Sequence, residues 1–239
     1  MGSLTDKVAV ITGAGKGIGK ACAKLFAAEG AAVALAARTP ADVEAVAADI
    51  EAAGGQALPV PTDVSDEASV ENLFARTVEA FGQVDILVNN AGVYHGWAPI
   101  TEMKTEDWDT ILAINLRGVF LCTRAALRLM KEREQGKVIN ISSVAGKWAC
   151  PGGTAYTTSK FGVYGLSEVS AREARQFGVS VTVINPGVVA TDGQGGATPD
   201  KDWWLRSEEV AQAALLAASA RLQTTIYEIT LFPREQAPW

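Results

Sequence analysis

The chain has 239 residues, a hydrophobic fraction of 48%, a formal net charge of −6 and a sequence pI of about 5.0. That length suits a single α/β sheet with a sizeable core, and the aliphatic runs exclude a disordered chain. No basic stripe exists to carry a polyanion, so nucleic acid is excluded as an expected partner. Cys22, Cys122 and Cys150 are odd in number and far apart. They make neither a disulfide framework nor a metal spacing, which fits a reducing compartment. Met1–Lys7 lacks the apolar stretch of a signal peptide, and no segment is read as approaching a membrane span. A cytoplasmic protein is expected.

In chain order, the apolar run Val8–Thr12 reads as a buried strand, followed by a helical pattern over Ile18–Glu29. Strand Ala32–Ala37 precedes helix Ala41–Ala53, and strand Ala57–Val60 precedes helix Ser65–Phe81. Strand Ile86–Val88 leads to one long helix, Thr105–Lys131, whose end at Lys131–Glu134 is a solvated mixture of charges. Strand Val138–Ser142, helix Ala155–Phe177, strand Val179–Ile184, helix Ser207–Ala220 and a seventh strand, Thr225–Leu231, complete the series. Ser65 and Ser207, each followed by two acids, are expected to cap their helices, and Gly30 and Gly178 to stop theirs. Cys22 and Cys122 fall inside helical patterns as core residues.

Continuous apolar strands separated by helices predict a parallel sheet covered on both faces. Right-handed crossovers then leave a doubly wound, seven-stranded Rossmann sheet, expected as one domain over residues 1–239. The irregular stretch from Val188 to Trp204, within a substrate loop of about 188–206, follows the sixth strand at the ligand-binding edge.

The turn Gly13-Ala14-Gly15-Lys16-Gly17-Ile18-Gly19 joins the first strand to the first helix. Glycines there let backbone N–H groups approach a pyrophosphate at a helix N-terminus. A free adenosine ribose calls for an acid about 20 residues further on. The chain instead has Arg38-Thr39, and Arg38 offers a fork of donors to a 2′-phosphate, with Thr39 and Lys16 in support. NADP(H) is therefore expected over NAD(H). Tyr156 and Lys160 are four apart, on one helix face. An ammonium beside a phenol is expected to lower its pKa and make it a general acid/base.

With Ser143 upstream, these motifs make the chain resemble the short-chain dehydrogenase/reductase family from Lys7 to about Leu231. Further support comes from Asp63-Val64, Asn89-Asn90-Ala91-Gly92, Asn115, Ser142-Ser143 and Asn185-Pro186-Gly187 with Thr191. The resemblance implies an Asn115, Ser143, Tyr156 and Lys160 tetrad. Tyr156 would pass a proton to the substrate oxygen, and Ser143 would bond that oxygen. Lys160 would lower the tyrosine pKa and bond the nicotinamide ribose, while Asn115 would hold a water linking Lys160 to solvent. Ser142 is one position off the family spacing and points elsewhere. Asp63 and Val64 would border the adenine, and Asn89, Ala91 and Gly92 would wall that end. Pro186, Gly187, Val188 and Thr191 would hold the nicotinamide, presenting its pro-S hydrogen.

Candidate substrate contacts are Tyr94, His95, Trp97, Trp148, Cys150, Gly187, Trp203 and Trp204, with Trp148 the favoured tryptophan. The single histidine offers no metal cluster, and no metal is expected. These residues fit an apolar, aromatic carbonyl compound better than a sugar phosphate. An NADPH-dependent carbonyl reductase is the leading expectation. A 3-oxoacyl-[acyl-carrier-protein] reductase is the enzymatic alternative, from which the ending Tyr227–Arg234 departs. An NADP-sensing or scaffold protein is the non-catalytic alternative. Apolar surface on the helices around Asn115 and Tyr156 predicts a homotetramer, with a dimer as the second choice.

Overall fold

The computed structural model describes residues 2–191 and 202–236. Its elements run β1 (Val8–Thr12), α1 (Gly17–Ala28), β2 (Ala32–Ala37), α2 (Pro40–Ala52), β3 (Gln56–Pro61) and α3 (Glu67–Phe81). Then come β4 (Ile86–Asn89), α4 (Thr105–Leu112), α5 (Gly118–Glu132), β5 (Gly136–Ile141) and α6 (Thr154–Ala174). β6 (Val179–Pro186), β7 (Val189–Ala190), β8 (Leu205–Arg206), α7 (Ser207–Ser219) and β9 (Glu228–Leu231) follow.

Seven strands pair in the order β3-β2-β1-β4-β5-β6-β9, every pair parallel. The chain runs outward from β1 through β2 to β3, then returns to lay β4 on the other side of β1. The carboxyl ends of β1 and β4 therefore diverge into crossovers of opposite direction, which opens a crevice there. β1, β4, β5 and β6 are buried along their whole length, including the polar side chains of Asn140, Thr182 and Asn185. Alternate residues feed two cores. Ala9 and Ile11 face a cluster with Phe26, Val46 and Val210, and Val10 faces one with Leu73, Leu121 and Met130. Cys22 and Cys122 lie in these cores, and burial pushes both thiols up to about 12.

Several local expectations are corrected. The long helix runs as expected, from Thr105 to Glu132, but it carries a π-helical turn at Ala113–Arg117 between α4 and α5. The combined segment Thr105–Glu132 is also long and apolar enough to cross a membrane, contrary to expectation, yet half of its apolar window is packed inside. Ile111, Leu121, Cys122 and Met130 within it are buried. Asp66, not Ser65, caps α3, its carboxylate accepting from the N–H groups of Ala68 and Ser69 at 3.3 and 3.2 Å. Ser65 is spent on Asp63 instead. Ser207 is the first helical residue of α7, and its hydroxyl donates to the Ala190 carbonyl; Glu209 reaches back to the Arg206 N–H at 2.6 Å. Gly30 and Gly178 do end their helices, with left-handed φ values of 92° and 69°.

β9 is shorter than the predicted seventh strand, starting at Glu228. The small parallel pair β7–β8 brackets the predicted substrate loop, of which residues 192–201 lie outside the described residues.

Because Asp66 alone satisfies two first-turn donors of α3, Asp66→Ala is expected to lower stability by about 1 kcal/mol. Urea unfolding monitored by circular dichroism measures it, and an unchanged midpoint would contradict the cap assignment.

Candidate functional site

The crevice between β1 and β4 is lined first by the glycine turn. α1 starts at Gly17, and its N-cap residue Lys16 makes no side-chain cap hydrogen bond. The turn is pressed tightly against its surroundings: a Cβ at Gly19 would lie 2.1 Å from the Gly13 carbonyl oxygen. The Thr12 hydroxyl accepts from the N–H groups of Asn90 and Ala91, both at 3.0 Å, and the Asn90 carboxamide donates to the Thr12 and Gly13 carbonyls. Gly13, Lys16, Gly17, Ile18, Ala91 and Gly92 line the main cleft of about 1160 Å³. Gly19 and Asn89 do not line it. Gly19 packs the turn, and Asn89 is buried beneath, its carboxamide donating to Thr123 and Asn140.

A second cleft of about 250 Å³ continues from the glycine turn, bounded by Gly15, Lys16, Arg38, Thr39, Asp63 and Val64. The predicted adenosine residues thus come together. Asp63 is held below the usual carboxylate range chiefly by hydrogen bonds from Ser65, with Arg38 assisting from a distance. Asp42 escaped the sequence reading: it also borders this cleft and pairs with Lys16 at 3.2 Å. Its place in the first turn of α2 gives no sequence signal of contact with a turn 26 residues away.

At the far end of the main cleft, Ser143, Tyr156 and Lys160 converge with Pro186, Gly187, Val188 and Thr191. Lys160 is buried and donates to the Ile141 carbonyl at 3.0 Å; its Nζ lies 5.6 Å from the Tyr156 ring centroid. Burial lowers the ammonium to about 8. It also raises the Tyr156 phenol to about 12, against the opposing pull of the Ser143 hydroxyl. The expected lowering of the tyrosine is therefore not the direction found: desolvation of the phenolate is the largest cause, ahead of the hydrogen bond with Ser143. Ser143 accepts from the Ala145 N–H at 3.1 Å, and Ser142 turns away to bond the Lys160 carbonyl.

Asn115 sits in the π-helical turn and is 1% exposed. Its carboxamide accepts from the Val93 N–H at 2.8 Å and donates to the Val93 carbonyl at 2.9 Å. It also donates to Ser159, whose hydroxyl bonds the Tyr156 carbonyl at 2.7 Å. Asn115 therefore ties the loop after β4 to the helix carrying Tyr156 and does not itself line the cleft. Ser159 had no signal beyond its place inside Tyr156–Lys160.

The substrate side of the cleft carries Tyr94, His95, Trp97, Cys150, Gly187 and Trp204. Tyr94 stands edge-on to Tyr156 at 5.0 Å between ring centroids, and Trp97 lies 6.5 Å from it. Trp97 replaces the favoured Trp148, which packs on Phe232 at 5.7 Å and is absent from the lining. The cause is a long-range contact: Ala98 bridges to Gly153, laying the indole on a bare backbone where a Cβ at Gly153 would approach it to 2.4 Å. His95 Nδ1 meets Asp107 at 3.4 Å, so the lone histidine is held by a carboxylate at the cleft mouth. Trp203 stands edge-on to Trp204 and does not border the cleft.

An uncapped helix start, an adenosine-sized cleft beside it and a Ser–Tyr–Lys cluster beyond define a dinucleotide-dependent dehydrogenase site. A family model for short chain dehydrogenases matches residues 7–202, and the chain belongs to that family as an oxidoreductase. It is 42% identical over 193 residues to a 3-oxoacyl-[acyl-carrier-protein] reductase of Synechocystis sp., covering 80% of this chain and 78% of that one. An uncharacterized oxidoreductase of Staphylococcus aureus is 35% identical over 230 residues, 96% of this chain and 98% of its own. Among solved structures, a metagenomic short-chain oxidoreductase in complex with NADP superposes with a TM-score of 0.86 at 36% identity, covering 98% and 100% of the two chains. Levodione reductase gives 0.87 at 30% identity, covering 95% and 96%.

The buried Lys160 makes a pH prediction. Its folded pKa of about 8 lies below the ordinary lysine value of 10.5, so between these values the unfolded chain binds more protons and stability rises with pH. Tyr156 acts oppositely, its raised pKa removing stability only above pH 10. Lys160→Met is expected to flatten the rise in urea-unfolding stability from pH 8 to 10 relative to the parent. Parallel curves for the two proteins would refute the burial assignment.

Proposed function

We propose that the chain is an NADP(H)-dependent carbonyl reductase, reversible as a secondary-alcohol dehydrogenase, with Tyr156 as general acid/base. The convergence of Ser143, Tyr156 and Lys160 on one cleft carries this reading. When bound, NADP(H) supplies or accepts the hydride. The chain's own residues do the rest. Tyr156, protonated near neutral pH, donates to the carbonyl oxygen, while Ser143 bonds the same oxygen and orients it. Lys160 holds the strand end at Ile141 and presents a donor to the nicotinamide ribose. Asn115 keeps Val93 and the Tyr156 helix in fixed relation. An intact set of these groups supports an enzyme over a sensing or scaffold protein.

The fork of Arg38, aided by Thr39, supports NADP(H) over NAD(H), as does the NADP complex of the metagenomic relative. Exposed rings at Tyr94 and Trp97 support an apolar, aromatic carbonyl substrate. A 3-oxoacyl thioester is the second reading, favoured by the Synechocystis reductase. Exposed Phe120 on α5 and Phe161 and Val169 on α6 support the homotetramer.

Initial rates of NADPH consumption across ketones, aldehydes, quinones, keto acids and acyl thioesters test the reading. Tyr156→Phe is expected to lower turnover by about 10²–10⁴-fold or more while NADPH still binds; surviving turnover would remove the proton-donor role. Arg38→Asp is expected to erode the NADPH preference, read as the ratio of kcat/KM for NADPH and NADH. An unchanged ratio would defeat the 2′-phosphate argument.

A further inference from the structure

The small cleft holds two cations, Lys16 and Arg38, and two carboxylates, Asp42 and Asp63, so its charges sum to zero. A cleft built only to grip a phosphate monoester, which carries about −1.5 to −2 charges, would not be balanced in this way. The two acids are differently placed. Asp63 is engaged by the Ser65 N–H and hydroxyl at 2.9 and 2.7 Å. Asp42 engages the very cation expected to assist the phosphate, its carboxylate lying 3.2 Å from Lys16 Nζ. Its position is tightly set: the Asp42 N–H donates to the Thr39 carbonyl at 3.2 Å, and a Cβ at Gly15 would fall 2.7 Å from the Asp42 Cβ. The first turn of α2 is thus pressed onto the glycine turn.

We propose that Asp42 sets the cofactor discrimination of this chain. It keeps Lys16 occupied and opposes an incoming dianion, leaving Arg38 to hold a 2′-phosphate largely alone. A ribose with free hydroxyls meets no such opposition, so the arrangement narrows the gap between NADP(H) and NAD(H). The ligand class rests on the function proposed above. Asp42 contacts no reacting atom and acts on binding, through Lys16 and through repulsion.

The test is equilibrium binding to the full chain at low ionic strength. Fluorescence titrations with NADPH and NADH are paired with competition by adenosine 2′,5′-bisphosphate and 5′-AMP. Asp42→Asn and Asp42→Ser are expected to tighten NADPH and the bisphosphate on the order of tenfold, from simple charge repulsion across several ångströms. NADH and 5′-AMP should stay within about twofold, and the gain should shrink in high salt. Asp42→Glu should keep the parent ratio. Asp49→Asn, which frees Lys24 from its 2.8 Å pair further along α2, should not change it, separating a local effect from net charge. An unchanged NADPH-to-NADH ratio in both Asp42 variants, or an equal shift in Asp49→Asn, would overturn the proposal. The parent ratio judges the NADP(H) reading separately: a parent that prefers NADH would overturn that reading, while the Asp42 shift still decides this one.

Discussion

The site depends on one stitch between the carboxyl ends of β1 and β4. Strands that part at a switch point leave backbone groups beyond the ladder with no partner of their own. Here the Thr12 hydroxyl takes the N–H groups of Asn90 and Ala91 and donates to the Val88 carbonyl, while the Asn90 carboxamide returns to Thr12 and Gly13. The glycine turn and the loop after β4 become one rigid piece. From that loop, Val93 passes to Asn115, Asn115 to Ser159, and Ser159 to the backbone of Tyr156. An unbroken polar path therefore fixes the phenol relative to the turn. Losing any interior member strands a buried partner, which costs about 1–3 kcal/mol.

A second polar layer lies under the first. Asn89 bonds Thr123 of α5 and Asn140 of β5, and Asn140 bonds Ser167 of α6. Four polar side chains in an otherwise apolar core are tolerated because each finds a partner in a low-dielectric setting. Their geometry specifies how α5 and α6 sit on the sheet, which apolar packing alone defines less sharply. This is why Asn89, in a run that otherwise borders the cleft, serves the scaffold.

Much of this was legible in the sequence, for identifiable reasons. Strands buried on both faces are rich in apolar, β-branched residues, so β1, β2, β4, β5 and β6 could be placed within a few residues. The glycine turn and the Tyr156–Lys160 spacing are local motifs and survived folding intact. What was not legible depends on distant contacts. A π-helical turn has no compositional mark, so the widened turn around Asn115 was invisible. Ser65 and Asp66 are both good caps, and only the competing demand of Asp63 on Ser65 decides between them. Trp148 lay nearer to Tyr156 in sequence, but the Ala98–Gly153 bridge brings Trp97 to the cleft. Asp42 reaches Lys16 only because two crossovers stack.

The electrostatics of the Tyr–Lys pair also bear on its chemistry. In a solvated helix, an ammonium would draw a neighbouring phenol towards ionisation. In this cleft burial pushes each group towards its neutral form, the phenol to about 12 and the ammonium to about 8. Lys160 then acts less as a bulk field than as a donor fixed on the Ile141 carbonyl. A protonated phenol is the state that carbonyl reduction consumes, whereas alcohol oxidation needs the phenolate that burial penalises. Near neutral pH the phenol is protonated with or without that shift, so the group that the proposed carbonyl reduction needs is in place before any titration.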